Sequence, residues 1–348
     1  MKRLGFAFLS GLVLCGASVI GCSSAAESTG SNGNGSSGTG AGGGAAAGTG
    51  LGGVSGTGPI IIGGSGTGST GGGGASGPEV CDGVDNDGDG KIDNVDAGQD
   101  GLCDCLLIGF LGSLVGDAAG GGEDAFKNWL VSKSSMPVDV IGATEPLTTE
   151  RLSKLQVLVI GNLEERAVAG GFSADELAVF QDWVQTKGGG VISLAGYRNT
   201  NAHMGPTNQL LAFTGMQYDL TGYENAAARP EGIFKDLTTL NVAGSTNPIL
   251  DQVSAIAAQA GYPILGDGTP VIAQAEPFRS QSYNLGMSKI TSPDQTNGRV
   301  FLYFDEWITQ QSLWVNRTDL QVARFWLDAL LWVSPQITCQ ITIPPIIR

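Results

Sequence analysis

The chain has 348 residues, and its 33 acidic against 18 basic side chains give a formal net charge of −15. Such an acidic chain repels the phosphate backbone of nucleic acids, so the composition excludes nucleic acid as a partner. It has a single histidine, His203, which lies in a polar stretch and is expected to be an ordinary surface residue.

The first residues have the pattern of an export signal. Lys2 and Arg3 precede an apolar run over 4–20, which is too short and too rich in small residues for a membrane span. The run ends in Val-Ile-Gly-Cys, which resembles the bacterial lipobox and predicts a signal peptide over 1–21 with lipidation at Cys22. An ordinary signal cut near Ala25 is the alternative. A lipidated Cys22 would anchor the chain to a membrane that it faces from the periplasm or the cell surface.

A tether and an acidic loop follow the predicted cleavage site. Residues 22–78 are mostly Gly, Ser, Thr and Ala with almost no charge, a composition that predicts disorder. Residues 79–105 are rich in aspartate, and alternate carboxylates followed by Gly90 have the spacing of an EF-hand-type calcium loop. The predicted ligands are Asp85, Asp87, Asp89, the carbonyl of Lys91, Asp93 and Asp96.

The loop resembles those of dockerins and thrombospondin type 3 repeats, and the metal-binding motif of secreted bacterial surface proteins. Its hard oxygen ligands favour calcium over copper or zinc, and a single loop without flanking helices favours a structural role. The alternative is a solvated acidic turn without a cation.

Four cysteines remain after the predicted cleavage: Cys81, Cys103, Cys105 and Cys339. An oxidising compartment favours two disulfides among them, with three possible pairings. The favoured pairing is Cys81–Cys103, which closes the acidic loop, with Cys105–Cys339, which ties the C-terminal tail to the first strand. The proximity of Cys103 and Cys105 leaves another pairing open.

Residues 106–335 alternate apolar strands with amphipathic helices. The clearest unit has strands at 156–161 and 191–195 around a helix that begins with a Ser173–Glu176 capping box. A strand, a helix and a strand within about forty residues predict parallel pairing. Further strands are expected at 106–111 and 138–141, with helices at 123–132 and 148–155. The fold class is therefore α/β, a three-layer sandwich with a mostly parallel, flavodoxin-like sheet.

The alternation loosens after Asn199. A helix is predicted at 208–213, and short strands are predicted near 216–220, 271–275 and 300–304. A closing helix over 318–332 would begin with a second capping box formed by Thr318 and Gln321. Residues 336–348 form a tail.

The order of these segments resembles the class I glutamine-amidotransferase-like superfamily, nearest its trehalose-utilisation-type members. The segments that carry the resemblance are the strand ending Ile-Gly, the Ser-Ala-Asp-Glu helix, Gly-Gly-Gly, Val-Ile-Ser-Leu-Ala-Gly, and later Asn-Pro-Ile-Leu, Thr-Pro-Val and Gly-Arg-Val-Phe. The family places a nucleophilic cysteine on the turn where this chain has Ala195, Gly196 and Tyr197. The resemblance therefore implies the fold without the catalytic cysteine, and Ser193 lies within a strand instead of a nucleophile elbow.

The remaining candidate site is the crevice at the carboxyl ends of the parallel strands. Its predicted residues are Glu164, Glu165, Tyr197, Arg198, Asp305, Glu306 and Trp307. The first functional hypothesis is a non-catalytic module that binds a ligand or glycan. The alternative is a glycan hydrolase with Asp305 and Glu306 as acid and base candidates. A third interpretation assigns these two carboxylates to helix caps or arginine pairs.

Overall fold

The computed structural model describes residues 77–82, 84–113, 122–133, 138–195, 204–220, 234–275 and 282–335. The predicted signal peptide (1–21), the tether up to residue 76 and the predicted tail (336–348) lie outside these ranges. So do Cys22, Tyr197, Arg198, His203 and Cys339. Within the described ranges, no helix combines the length and the apolar character that crossing a bilayer requires.

The described residues form eleven strands. These are β1 (Ile108–Leu111), β2 (Asp139–Ile141), β3 (Val157–Ile160), β4 (Gly190–Leu194), β5 (Met216–Tyr218), β6 (Phe234–Asn241), β7 (Ala255–Ala260), β8 (Ile264–Gly266), β9 (Thr269–Ala275), β10 (Ser282–Ile290) and β11 (Arg299–Tyr303). β2, β1, β3, β4 and β11 lie side by side in that order, and all four pairings are parallel. This is the flavodoxin-like strand order, in which the chain starts near the middle of the sheet and reverses direction once.

Seven α-helices accompany the sheet in the described ranges. They are α1 (Asp124–Ser132), α2 (Thr149–Leu152), α3 (Glu164–Val168), α4 (Ala174–Gln185), α5 (Met204–Leu211), α6 (Gln311–Val315) and α7 (Val322–Val333). Helix α6 contacts α1 and α7, Phe126 of α1 packs against Trp326 of α7, and α7 packs on β4 and β11. The other group is α2 to α5, whose members contact each other. Two helical layers around a largely parallel sheet confirm the predicted three-layer α/β fold.

The predicted βαβ unit is confirmed as β3, α4 and β4. Every residue of both strands is buried, as expected for parallel strands covered on both faces. The Ser173–Glu176 capping box forms, and α4 buries Phe180, Trp183 and Val184 against the core. The sequence patterns did not indicate the short helix α3, which lies between β3 and α4.

Beyond β11 the sheet continues with antiparallel strands. β10 pairs with β11, β9 and β8, and β8 pairs with the edge strand β5. A separate two-stranded sheet contains β6 and β7. The predicted strands near 216–220, 271–275 and 300–304 are confirmed as β5, β9 and β11. The sequence patterns did not indicate β6, β7, β8 and β10.

The predicted start of the closing helix is wrong. α7 begins at Val322, and its N-cap residue Gln321 makes no side-chain cap hydrogen bond. The Gln321 side-chain oxygen instead accepts hydrogen bonds from the Ser254 hydroxyl at 2.8 Å and the Ala255 N–H at 3.3 Å. A tertiary contact with the start of β7 therefore replaces the local capping box.

Candidate functional site

The carboxyl ends of the parallel strands meet at one edge of the sheet, as the sequence predicts. Glu164 begins α3, the first helix after β3, and Asp305, Glu306 and Trp307 follow β11. The N–H of Glu306 donates to the carbonyl of Ala195, the residue after β4, at 3.0 Å. Four of the predicted crevice residues thus follow these strand ends, and Glu165, also in α3, is exposed.

Asp305 is a buried capping residue, with 1% of its surface exposed. One carboxylate oxygen accepts from the N–H of Trp307 at 2.8 Å and so caps the 3-10 helix Glu306–Thr309. The other oxygen accepts from the N–H of Gln259 in β7 at 2.6 Å. Burial raises the pKa of Asp305 to about 8, against the opposing effect of these two backbone donors.

Glu306 and a second buried glutamate, Glu123, are linked through Thr309. Glu306 and Glu123 are both fully buried. The Thr309 hydroxyl is 2.9 Å from a carboxylate oxygen of Glu123 and 2.8 Å from the main-chain carbonyl of Glu306. Residues 122–125 are fixed here from the other side as well, since the Ala125 N–H donates to the Gln311 side chain at 2.8 Å. These contacts join the start of α1 to the segment between β11 and α6.

The side chain of Tyr218, in β5, contacts the main chain of β4 and β11. Its hydroxyl donates to the carbonyl of Ser193 at 2.9 Å and lies 3.2 Å from the Tyr303 carbonyl. Burial raises the pKa of the Tyr218 hydroxyl well above its ordinary value. Ser193 is fully buried within β4, and its hydroxyl oxygen lies 3.2 Å from the Tyr218 hydroxyl. Both hydroxyls therefore hold strands together, and Ser193 has no nucleophile-elbow geometry.

Asp305 does not have the geometry of a glycosidase carboxylate. A glycosidase needs two carboxyl groups about 5–10 Å apart across a groove that admits a sugar. Both oxygens of Asp305 accept main-chain hydrogen bonds in the interior, and Glu306 is fully buried beside it. The interpretation of Asp305 as a cap is confirmed, and its assignment as an acid or base has no geometric support.

Sequence patterns missed three residues of this region: Glu123, Tyr218 and Thr309. Glu123 was recognised only as a helix start, and Tyr218 only as part of a short strand. Their partners are Thr309, Ser193 and Tyr303, which are far away along the chain. No local signal was available, because an acidic residue at a helix start is ordinary and complements the helix dipole.

The acidic loop brings three carboxylates together. Oxygen atoms of Glu79, Asp85 and Asp87 all lie within 4.8 Å of one another. Glu79 also accepts hydrogen bonds from the N–H groups of Asn86, Asp87 and Asp93. Gly88 and Gly90 both have positive φ, which permits the tight turns that converge these side chains. Glu79 precedes the predicted EF-hand spacing, which is why the sequence did not indicate it as a ligand.

The other predicted ligands make different contacts. Asp89 accepts from the Asn94 side chain at 2.9 Å, and Asp93 accepts from the Asp82 N–H at 2.9 Å. Asp96 caps a later turn by accepting from the N–H groups of Asp100 and Gly101. Lys91, predicted to contribute its carbonyl, donates its N–H to Asp89 at 2.8 Å. The cluster of three carboxylates in the structure therefore contains two of the predicted ligands, Asp85 and Asp87, and Glu79 as the third member.

The favoured disulfide pairing is wrong. Cys81 is bonded to Cys105, which closes the acidic loop across 24 residues. Cys105 is therefore not available for the predicted bond to Cys339, nor Cys81 for the bond to Cys103. Cys105 is buried at the entry to β1, and the Cys103 Sγ lies 2.9 Å from the Asp93 carbonyl oxygen.

The acidic loop is attached to the α/β domain. Asp100 forms an ion pair with Lys133, the residue that ends α1. Leu102 is buried in the core cluster, and Asp104 accepts from the Ala97 N–H at 2.7 Å. A change in the loop is therefore expected to affect the stability of the domain.

Comparisons with known proteins find matches among solved structures. No protein-family model matches the chain, and no curated protein matches it. Among solved structures, a ThuA-like protein from Bacteroides uniformis is similar, with a TM-score of 0.40 and 12% identity. The match covers 66% of this chain and 90% of that one. The fold assignment rests on the strand order and not on this likeness, and the amidotransferase-like resemblance stays a prediction.

Proposed function

We propose that this chain is a membrane-anchored, extracytoplasmic binding protein whose α/β domain recognises a ligand without transforming it. The observation that carries the proposal is the capping role of Asp305. Asp305, the first carboxylate after β11, is buried, and each of its oxygens accepts a hydrogen bond from a main-chain N–H. The sequence adds that the turn after β4 has Ala195, Gly196 and Tyr197 in place of a nucleophilic cysteine.

The ligand class in this proposal is a glycan. Extracytoplasmic surfaces present glycans, and a flavodoxin-like sheet offers crevices that suit small ligands. The hydrolase alternative has no supporting observation, because it depends on Asp305 and Glu306 as an exposed pair. Incubation of the purified protein with a panel of oligosaccharides tests this directly. We expect binding without cleavage, and cleavage that is lost in Glu306→Gln would overturn the proposal.

The membrane anchor is the second part of the proposal. It is supported by the basic residues Lys2 and Arg3, the apolar run and the Val-Ile-Gly-Cys site. The attached lipid would hold the domain at a membrane surface through the glycine-rich tether. Intact-mass analysis of membrane-extracted protein tests it. An unmodified N-terminus created by cleavage after Cys22 would contradict it.

A structural calcium ion in the acidic loop is the third part. It is supported by the aspartate spacing of the sequence and by the three converging carboxylates of Glu79, Asp85 and Asp87. Three like charges at this separation repel one another, and a hard cation with oxygen ligands relieves that repulsion. The ion would stabilise the loop and take no part in a reaction. Calorimetric titration with Asp87→Ala as the comparison tests the site, and equal heats for both proteins would rule it out.

A further inference from the structure

A groove of about 620 Å³ lies beside α7, far from the carboxyl ends of the strands. It is bordered by α7, by the loop before the 3-10 helix Pro248–Leu250 and by Arg299. Arg299 is the first residue of β11, whereas Asp305 follows the last residue of that strand. The groove is therefore distinct from the crevice that the sequence predicts, and its volume suits a small ligand.

Two buried polar atoms of the groove lack a hydrogen-bond partner among the described residues. Asp328 has 2% of its surface exposed; one of its oxygens pairs with Arg324 at 2.8 Å and the other, Oδ2, has no partner. Arg299 donates through Nη1 to the Trp332 carbonyl at 3.0 Å, while its Nε has no partner. Among the described residues, the groove lining therefore includes one unused acceptor and one unused donor, both shielded from solvent, and leaving such buried atoms unsatisfied is unfavourable.

The groove also has an aromatic wall. Trp332 is half-buried and lines it together with Pro248 and Leu331. The guanidinium carbon of Arg299 lies 5.5 Å from the Trp332 ring centroid, which fixes the orientation of the indole. A partly open indole of this kind provides a flat apolar surface for the face of a ring.

The charges in the groove balance. Its lining includes the arginines Arg299 and Arg324 and the aspartates Asp251 and Asp328. Arg324 pairs with Asp251 at 3.1 Å and with Asp328 at 2.8 Å. An anion would be attracted by the arginines and repelled by the aspartates, and a cation would meet the reverse. Neither sign of ligand charge gains a net Coulomb advantage here.

We propose that this groove binds a neutral, hydroxyl-bearing ring, such as a pyranose unit of a glycan. A ligand hydroxyl can donate to Asp328 and another can accept from Arg299, while the ring lies on Trp332. A small side-chain adjustment, common on ligand contact, brings both shielded atoms to the ligand. This assignment rests on the proposed binding function and names its site and ligand class.

The test is a binding titration on the full mature protein extracted from membranes. The probes are the methyl glycosides of glucose, galactose, mannose and N-acetylglucosamine, with glucuronate and glucosamine as charged probes. Ligand-observed NMR measures affinity for the wild type, Trp332→Leu, Trp332→Phe and Arg299→Gln. Arg317→Gln is the matched control, because Arg317 pairs with Asp319 and does not line the groove.

We expect at least one neutral glycoside to bind and the charged probes to bind more weakly. Trp332→Leu and Arg299→Gln should each lower affinity about tenfold, whereas Trp332→Phe and Arg317→Gln should stay within about threefold of the wild type. Tighter binding of a charged probe, or no binding by any probe, would overturn the assignment. If a neutral glycoside binds and none of the variants changes its affinity, the groove is not the binding site, and the proposed binding function stays in place.

Discussion

Asp305 accepts a hydrogen bond from the main-chain N–H of Gln259 at 2.6 Å, and this contact joins the two sheets of the protein. Gln259 belongs to β7 in the two-stranded sheet, whereas Asp305 follows β11 in the large sheet. Two further contacts lie alongside. The Tyr303 hydroxyl donates to the Ala257 carbonyl at 2.7 Å, and the Tyr262 N–H donates to the Phe304 carbonyl at 3.0 Å. The carboxylate that the sequence offered as a catalytic acid is part of this joint.

The first prediction concerns the pH dependence of this joint. Burial raises the pKa of Asp305 to about 8, against an ordinary value of about 3.9 for the unfolded chain. Between these values the folded protein holds a proton that the unfolded chain releases. The contribution of Asp305 to stability is therefore fully present below about pH 4 and is lost as the pH rises towards 8.

Urea unfolding at pH 5 and pH 8 measures this effect. Asp305→Asn cannot titrate and should show a smaller loss of unfolding free energy between the two pH values than the wild type. At pH 5 the variant should be less stable by about 1–3 kcal/mol, because the amide reproduces only one of the two buried acceptors. An identical pH profile in both proteins would show that the carboxylate does not titrate in this range.

The second prediction concerns Gly261, which follows β7. Its φ is +77°, and a Cβ at this position would clash with the Phe304 carbonyl oxygen. Gly261→Ala should therefore destabilise the protein by more than about 3 kcal/mol, because a backbone atom has to move. Gly244→Ala is the matched control, since Gly244 has a φ of +81° with nothing within 4 Å of its Cβ position.

The control should lose only about 1–2 kcal/mol, the ordinary cost of a left-handed alanine. Chemical unfolding of both variants under one condition gives the comparison. Equal losses would mean that Gly261 is not packed against the end of β11.

The third prediction distinguishes two sets of calcium ligands in the acidic loop, the set that converges in the structure and the set that the EF-hand spacing predicts. Glu79→Gln should weaken the proposed calcium binding about tenfold, because it removes one of three converging carboxylate charges. Asp96→Asn should change the affinity less than about threefold, because Asp96 caps the turn at Asp100 and Gly101. The EF-hand spacing alone predicts the opposite ranking. Titration calorimetry on the two variants decides between them.

The fourth prediction is the disulfide pattern. With Cys81 bonded to Cys105, the other two cysteines expected to remain after export are Cys103 and Cys339. Non-reducing peptide mapping should find Cys81 linked to Cys105, and a separate peptide that links Cys103 to Cys339. Removal of the first bond by a Cys81→Ser, Cys105→Ser double variant should cost about 3–4 kcal/mol of stability, from the 24-residue loop that it closes. A Cys81–Cys103 peptide would contradict the structure.

The sequence predicted the elements whose signals are local. The unit β3–α4–β4 was predictable because strands β3 and β4 are apolar throughout and Ser173 with Glu176 caps the helix between them. The parallel pairing of β3 and β4 followed from the alternation of strands and helices, whereas the order of the strands came from the structure. The antiparallel strand β10 was missed, although its apolar residues Tyr283, Leu285 and Met287 alternate with polar residues and glycine in the pattern of a half-buried strand.

The candidate site was predictable in position but not in chemistry. Topology alone places the residues after β3, β4 and β11 at one edge. The role of Asp305 depends on Gln259, 46 residues earlier, and no local pattern shows that contact. Glu79 was missed because it precedes Asp85, the first position of the EF-hand-type pattern, although its carboxylate lies close to those of Asp85 and Asp87. The disulfide partners of Cys81 and Cys105 depend likewise on loop geometry that four cysteines alone cannot specify.

The most direct test of the proposed function is recovery of the ligand after binding. The mature protein is equilibrated with neutral oligosaccharides built from the glycosides above, and the bound sugar is released and weighed by mass spectrometry. A binding protein without catalysis predicts saturable binding and a sugar of unchanged mass after prolonged incubation. Recovery of a shortened sugar from the wild type, with intact sugar from Glu306→Gln, would contradict it.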